Sequence, residues 1–153
     1  MSIQVEHYGT SGATAREQVQ RQLESVMILD KRIGSRTAEI ARLRDKLNAL
    51  SRALNGDSAG GPRRDWTNVS DQLLDAVDVI EREIRALKEQ RSGVVALIAV
   101  LPQRLQLLIE LRYLRGMAWW RVANEMNCGR TTVWEMHGEA LDFLAGRQKS
   151  EHH

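Results

Sequence analysis

Proline is nearly absent from this chain of 153 residues, occurring only as Pro62 and Pro102. Helices are therefore free to run for tens of residues, and each proline marks a point where one must stop or bend. Cysteine is scarcer still, with Cys128 alone. A single thiol excludes an internal disulfide and a multi-cysteine zinc site, and it fits a reducing cytosol. Cys128 falls where a small apolar residue would plug a helical core, so it reads as an inert packing thiol. No long apolar run occurs either. Residues 94–101 (VVALIAVL) stop far short of the ~20 residues of a membrane span, and no basic-then-apolar signal segment opens the chain, so no membrane partner is expected.

One-sided charge is also missing. Lysine and arginine number 22 against 20 aspartates and glutamates, a net +2 that gives no global attraction to polyanions. The sequence has no glycine-rich phosphate loop, no HExxH and no nucleophile elbow. Its histidines are His7, His137, His152 and His153, and His137 reads as a packed or rim residue on a helix rather than a ligand or base. Asp71, Asp75 and Asp78 lie near an expected helix start, where they favour the helix dipole better than they describe a metal site. The expectation is a protein that is not an enzyme and needs no metal or cofactor.

What is present is heptad periodicity. Val19, Val26, Ile33, Ile40, Leu47 and Leu54 recur every seven residues, with Gln22, Leu29, Arg36, Leu43 and Leu50 on a companion line. Leu73, Ile80, Leu87, Val94 and Leu101 repeat the pattern, accompanied by Val77, Ile84, Arg91, Ile98 and Leu105. Each line is a seam that must face a partner helix. The two lines predict an all-α fold opening with a long antiparallel hairpin, a coiled-coil-like stalk over 14–101. Its loop is expected at 55–68 (NGDSAGGPRRDWTN), with the second helix starting near Val69 or Ser70. Arg63, Arg64 and Trp66 then read as a loop tip with the indole folded back, in preference to a nucleic-acid contact. Residues 1–13 are expected to form a flexible arm and 148–153 a tail. Residues 94–101 are apolar on more than one face, so they should also touch a second subunit or the C-terminal domain.

Residues 102–147 read as three short helices with two breaks. The first carries Leu105, Leu108, Leu111 and Tyr113 and ends at Gly116; the second runs from about Trp119 to Met126. Asn127, Cys128 and Gly129 form the next break. The third helix opens at Arg130 and buries Val133, Met136, His137, Ala140, Leu141 and Leu144. Two helices joined by a short turn are the geometry of a helix-turn-helix. The small Ala123 would let the third helix cross close to the second. Trp119 shares one face of the second helix with Val122, Ala123 and Met126, so Trp120 is outward or at a rim, where it can pack on the stalk or serve an interface. Arg130, Thr131, Thr132, Trp134 and Glu135 stand on the outward N-terminal part of the third helix, where side chains reach base edges in a major groove, with Arg121 on the helix before it. Threonines there meet phosphates or thymine methyls, and Glu135 can accept from cytosine.

The run VANEMNCGRTTVWEMHGEAL, preceded by LRY and Gly116, resembles the second half of region 4 of the bacterial sigma-70 family. With a helical hairpin in front of it, the arrangement resembles small phage-encoded transcriptional regulators of the ArpU- and RinA-like group. The resemblance implies a sequence-specific regulator in the bacterial host cytoplasm, associated with the nucleoid. Double-stranded DNA would be its partner, with RNA polymerase or self-association served by the hairpin. Arg130 matches an arginine that contacts DNA in that family. Thr131, Trp134 and Glu135 hold positions that face DNA there, but their types depart from the usual Glu, Arg and Gln, so the family's base preference does not carry over. Basic side chains in the C-terminal part are offset by Glu110, Glu125, Glu135, Glu139, Asp142 and Glu151. One copy should therefore bind DNA weakly, and a homo-oligomer, most simply a dimer, is expected. Two rival readings are a DNA-packaging protein of the small terminase subunit type and an RNA polymerase adaptor that binds protein alone.

Overall fold

A computed structural model describes residues 11–56 and 63–151, with side chains over 15–55 and 66–148. The expected flexible arm falls largely on residues 1–10, and His152 and His153 close the chain; both lie outside the described residues. Among those described there are helices and no strand: α1 (Ser11–Gly56), α2 (Arg63–Ala99), α3 (Gln103–Ile109), a π-helical turn (Glu110–Leu114), α4 (Trp119–Glu125) and α5 (Arg130–Glu151). No helix among them is long and apolar enough to cross a membrane.

Several boundaries differ from expectation. Helix α2 begins at Arg63, so Arg63, Arg64 and Trp66 belong to a helix and not to a loop tip. No glycine or proline follows Pro62 until Gly93, so nothing local stops the helix from starting there. Helix α5 continues to Glu151, through the expected tail, because Gly146 inside it is tolerated at a cost of ~1 kcal/mol. At the other end of α2, Val100 N–H and Leu101 N–H donate to the carbonyls of Leu97 and Ile98, tightening the last turn. Pro102 disfavours a helical Leu101, which ends α2 there.

The chain divides into two compact units, residues 29–90 and residues 1–28 with 91–153. The division falls within α1 and α2, not at Pro102, where the proline marks the expected joint. The reason is a shared core. Val19, Leu23 and Val26 of α1 and Val94, Ile98 and Leu101 cluster with Leu105, Leu108, Ile109, Val122, Val133, Ala140 and Leu144. The apolar excess of 94–101 is spent on that core. Each large side chain removed from water there contributes roughly 1.5–3 kcal/mol.

The unit of residues 29–90 has a smaller cluster of Ile40, Leu43, Val77 and Ile80, with Leu73, Ala76 and Ile84 against it. Arg36 Nε pairs with Glu83 at 3.3 Å and Arg44 Nη2 with Glu81 at 2.9 Å. Arg36, on the seam line by count, is thus swung out to a carboxylate. Arg42 also pairs with Glu39, and that guanidinium holds the Glu39 carboxyl below its usual range.

Candidate nucleic-acid interface

The candidate surface lies wholly within the unit of residues 1–28 and 91–153, on α4, α5 and the turn between them. That turn is built by backbone chemistry. Asn127 adopts φ 54°, a left-handed conformation that asparagine tolerates better than most residues. Asn127 N–H donates to the Asn124 carbonyl and Cys128 N–H to the Ala123 carbonyl, at 3.2 and 3.0 Å. These are the paired bonds of a Schellman helix end. Gly129 follows, and its carbonyl accepts the Val133 N–H at 3.1 Å, opening α5 without a side-chain cap. Val122 and Ala123 are buried, and α4 and α5 pack directly on each other.

The preceding break is similar but wider. Gly116 holds φ 69°, where a side chain would be strained. Arg115 N–H reaches back to Glu110 and Met117 N–H to Leu111, so the helix exits through a π turn. This turn is not visible in the periodicity, which reads a continuous α-helix through Tyr113. Arg112 fastens the exit: Nη1 donates to the Met117 carbonyl at 2.8 Å, and the guanidinium lies over the Trp119 ring at 4.7 Å.

Behind the surface sits a buried polar and aromatic cluster. His137 is 5 % exposed, and its Nε2 shares one hydrogen with Tyr113 Oη across 2.7 Å. Trp119 meets the imidazole edge-on at 4.7 Å between centroids, and Trp134 covers it at 5.8 Å. Burial pushes His137 down to about 4, helped by Arg16 and Arg112 and opposed by Glu24. Burial likewise pushes Tyr113 up to about 12. Both groups are therefore neutral at pH 7, and the pair is a packing and orienting contact. No cluster of three or more His, Cys, Asp or Glu fit to hold a metal occurs among the described residues.

Arg130, Thr131, Thr132, Trp134, Glu135 and Arg121 are all exposed. Helical geometry divides them. Arg130, Thr131 and Trp134 line one open groove of about 470 Å³ with Trp119, Trp120 and Val133. Thr132 turns to a second groove bounded by Arg104, Met136 and Phe143. Glu135 lines a third, with Trp134, Arg16, Glu139 and Asp142. Arg121 lines none of these.

Trp120, expected outward or at a rim, is 58 % exposed and lines the first groove with Trp134, 65 % exposed. One contributor escapes the sequence reading. Arg104, distant in sequence, donates through Nη2 to the Cys128 sulfur at 3.0 Å and so carries a cation to the edge of the turn. Cys128 itself is half-buried against the core. A signal existed for Trp120, as the second of two tryptophans on a short amphipathic helix. None existed for Arg104, whose partner depends on the tertiary fold.

Helix α1 also borders this region. Arg16 Nε and Nη2 donate to the two carboxylate oxygens of Asp142 at 2.8 and 3.2 Å, and Nη2 also reaches the Gly138 carbonyl at 3.1 Å. A Cβ on Gly138 would stand 2.8 Å from Arg16 Nη2, so the glycine leaves room for the guanidinium. Gln148 further along α5 donates to Gln22 Oε1 at 2.8 Å.

Residues 51–145 match the family described as "Protein of unknown function (DUF1492)". No curated protein and no solved structure matches the chain.

Proposed function

The chain belongs to the DUF1492 family, and we propose that it is a sequence-specific DNA-binding transcriptional regulator. It would be of the phage-encoded, sigma-region-4-like kind that its sequence resembles. In this reading α4, the Asn127 turn and α5 form the helix-turn-helix, and the N-terminal half of α5 enters a major groove. Segments of α1 and α2 form an antiparallel hairpin for self-association or polymerase contact, a reading supported by the Arg36–Glu83 and Arg44–Glu81 pairs.

One observation carries the proposal. Arg130, Thr131, Thr132, Trp134 and Glu135 are exposed on the first turns of α5, while Val133, Met136, His137 and Ala140 behind them are buried. A helix held firmly from behind, with its opening turns bare, has what base readout requires. Arg130 offers a fork of donors suited to guanine O6 and N7, Thr131 and Thr132 offer hydroxyls to phosphate, and Arg121 and Arg104 offer flanking cations. Glu135 and Glu139 limit what one copy gains from phosphates, which favours a pair of copies on DNA.

The test is selection of duplexes by the full chain from a random pool, followed by titration of the best one. Arg130→Ala is expected to weaken binding by about 1–3 kcal/mol with helicity intact. Unchanged affinity would remove Arg130 from the site, and an empty selection would remove DNA. Solution mass distinguishes the packaging reading, which requires a large ring.

A further inference from the structure

The groove between α4 and α5 has an unusual wall for a surface facing base pairs. Trp120 and Trp134 are more than half exposed and bracket it, Trp119 and Val133 supply its floor, and Arg130 and Thr131 stand beside them. The lining is mainly apolar. Trp134 is braced from behind by an edge contact to Trp119 at 5.7 Å between centroids and by His137, so the indole is presented as a fixed plane.

Base edges in the major groove are rows of hydrogen-bond donors and acceptors with one apolar exception, the 5-methyl group of thymine. An indole face pressed against N7, O6 or an amino group strips water from it without returning a hydrogen bond, which costs free energy. Pressed against a methyl group, the same face gains. We propose that this groove reads thymine 5-methyl groups through Trp120 and Trp134, an assignment that rests on the DNA-binding reading above. Arg130 at the groove edge supplies the charge complementarity that holds the strand there: its guanidinium faces phosphate or guanine while the indoles meet the methyl.

Uracil isolates the effect, since it keeps every polar atom of thymine and lacks only the methyl. In the duplex selected by the full chain, each thymine is replaced in turn by uracil and affinity is measured at one salt concentration. For at least one thymine the replacement is expected to weaken binding about fourfold, the value of one buried methyl at ~0.8 kcal/mol. Trp120→Ala and Trp134→Ala, both at exposed positions, should bring that ratio towards one while helicity by far-ultraviolet circular dichroism stays unchanged. A selected duplex indifferent to every thymine-to-uracil change overturns the methyl assignment and leaves the DNA-binding reading standing. Full discrimination retained by both tryptophan variants would overturn the role of the groove. A pool that yields no duplex overturns the groove and the DNA-binding reading together.

Discussion

Residues 29–90 and the unit of residues 1–28 with 91–153 bury side chains in very different ways. In the latter, Val19, Leu23, Val26, Leu108, Ile109, Val122, Ala140 and Leu144 are sealed from solvent entirely. In the former, Ile40, Leu43, Val77 and Ile80 each keep a sliver of exposure, and ion pairs flank them. Two helices alone offer each seam residue one neighbour, whereas five segments can surround it. Burial on every side comes only with the latter, and the candidate interface is mounted there. Fixing exposed side chains for recognition calls for a stiff support, since looseness behind them would spread their positions.

Truncation inside the two cores is the severest way to test the contrast. Leu108→Ala should cost about 3–5 kcal/mol and collapse the near-ultraviolet signal of Trp119, while Ile80→Ala should cost about 2 kcal/mol and leave that signal intact. Equal losses in denaturant titrations would mean that the two cores are energetically alike.

Acid should act next, most strongly through His137. The unfolded chain protonates His137 below its ordinary value of 6.5, while the folded chain resists until about 4. The unfolded state therefore binds the extra proton in that window, and stability falls as pH drops from 6.5 towards 4, by up to about 3 kcal/mol. His137→Gln should flatten this dependence. A slope that persists in the variant would assign the acid sensitivity to other groups.

The smallest expected effect concerns α1 and α5. Gly138→Ala gains helix propensity of ~1 kcal/mol but crowds Arg16. In the native background these should nearly cancel; in an Arg16→Ala background the gain should appear in full. A thermal double-mutant cycle showing simple additivity would mean that the added Cβ does not crowd Arg16.

The heptad lines announced much of the helical fold, because seam positions such as Val26, Ile40, Leu43, Ile80 and Ile98 are fixed by a repeat that any partner must respect. Leu23 was invisible to that count: it sits one turn after Val19, off both lines, and is buried by the larger core. The start of α2 at Arg63 is hidden by a loop-like composition, since its polar neighbours are equally content in a helix. The exposed stripe Arg130, Thr131, Trp134 was legible from helical spacing alone. The separation of Thr132 and Glu135 into other grooves was not, since that depends on where α3 and α1 lie against α5. The Arg16–Asp142 and Arg104–Cys128 contacts join distant parts of the chain through side chains that read as ordinary surface charge.

Three of the four indoles, Trp119, Trp120 and Trp134, crowd a single recess, and the fourth, Trp66, belongs to the other unit. The molecule thus contains an intrinsic optical probe. Nucleobases stacked or pressed against those rings would quench their emission, and a proton gained by His137 would dim Trp119 and Trp134 beside it. Light from an unlabelled sample could therefore follow both occupancy and acidification.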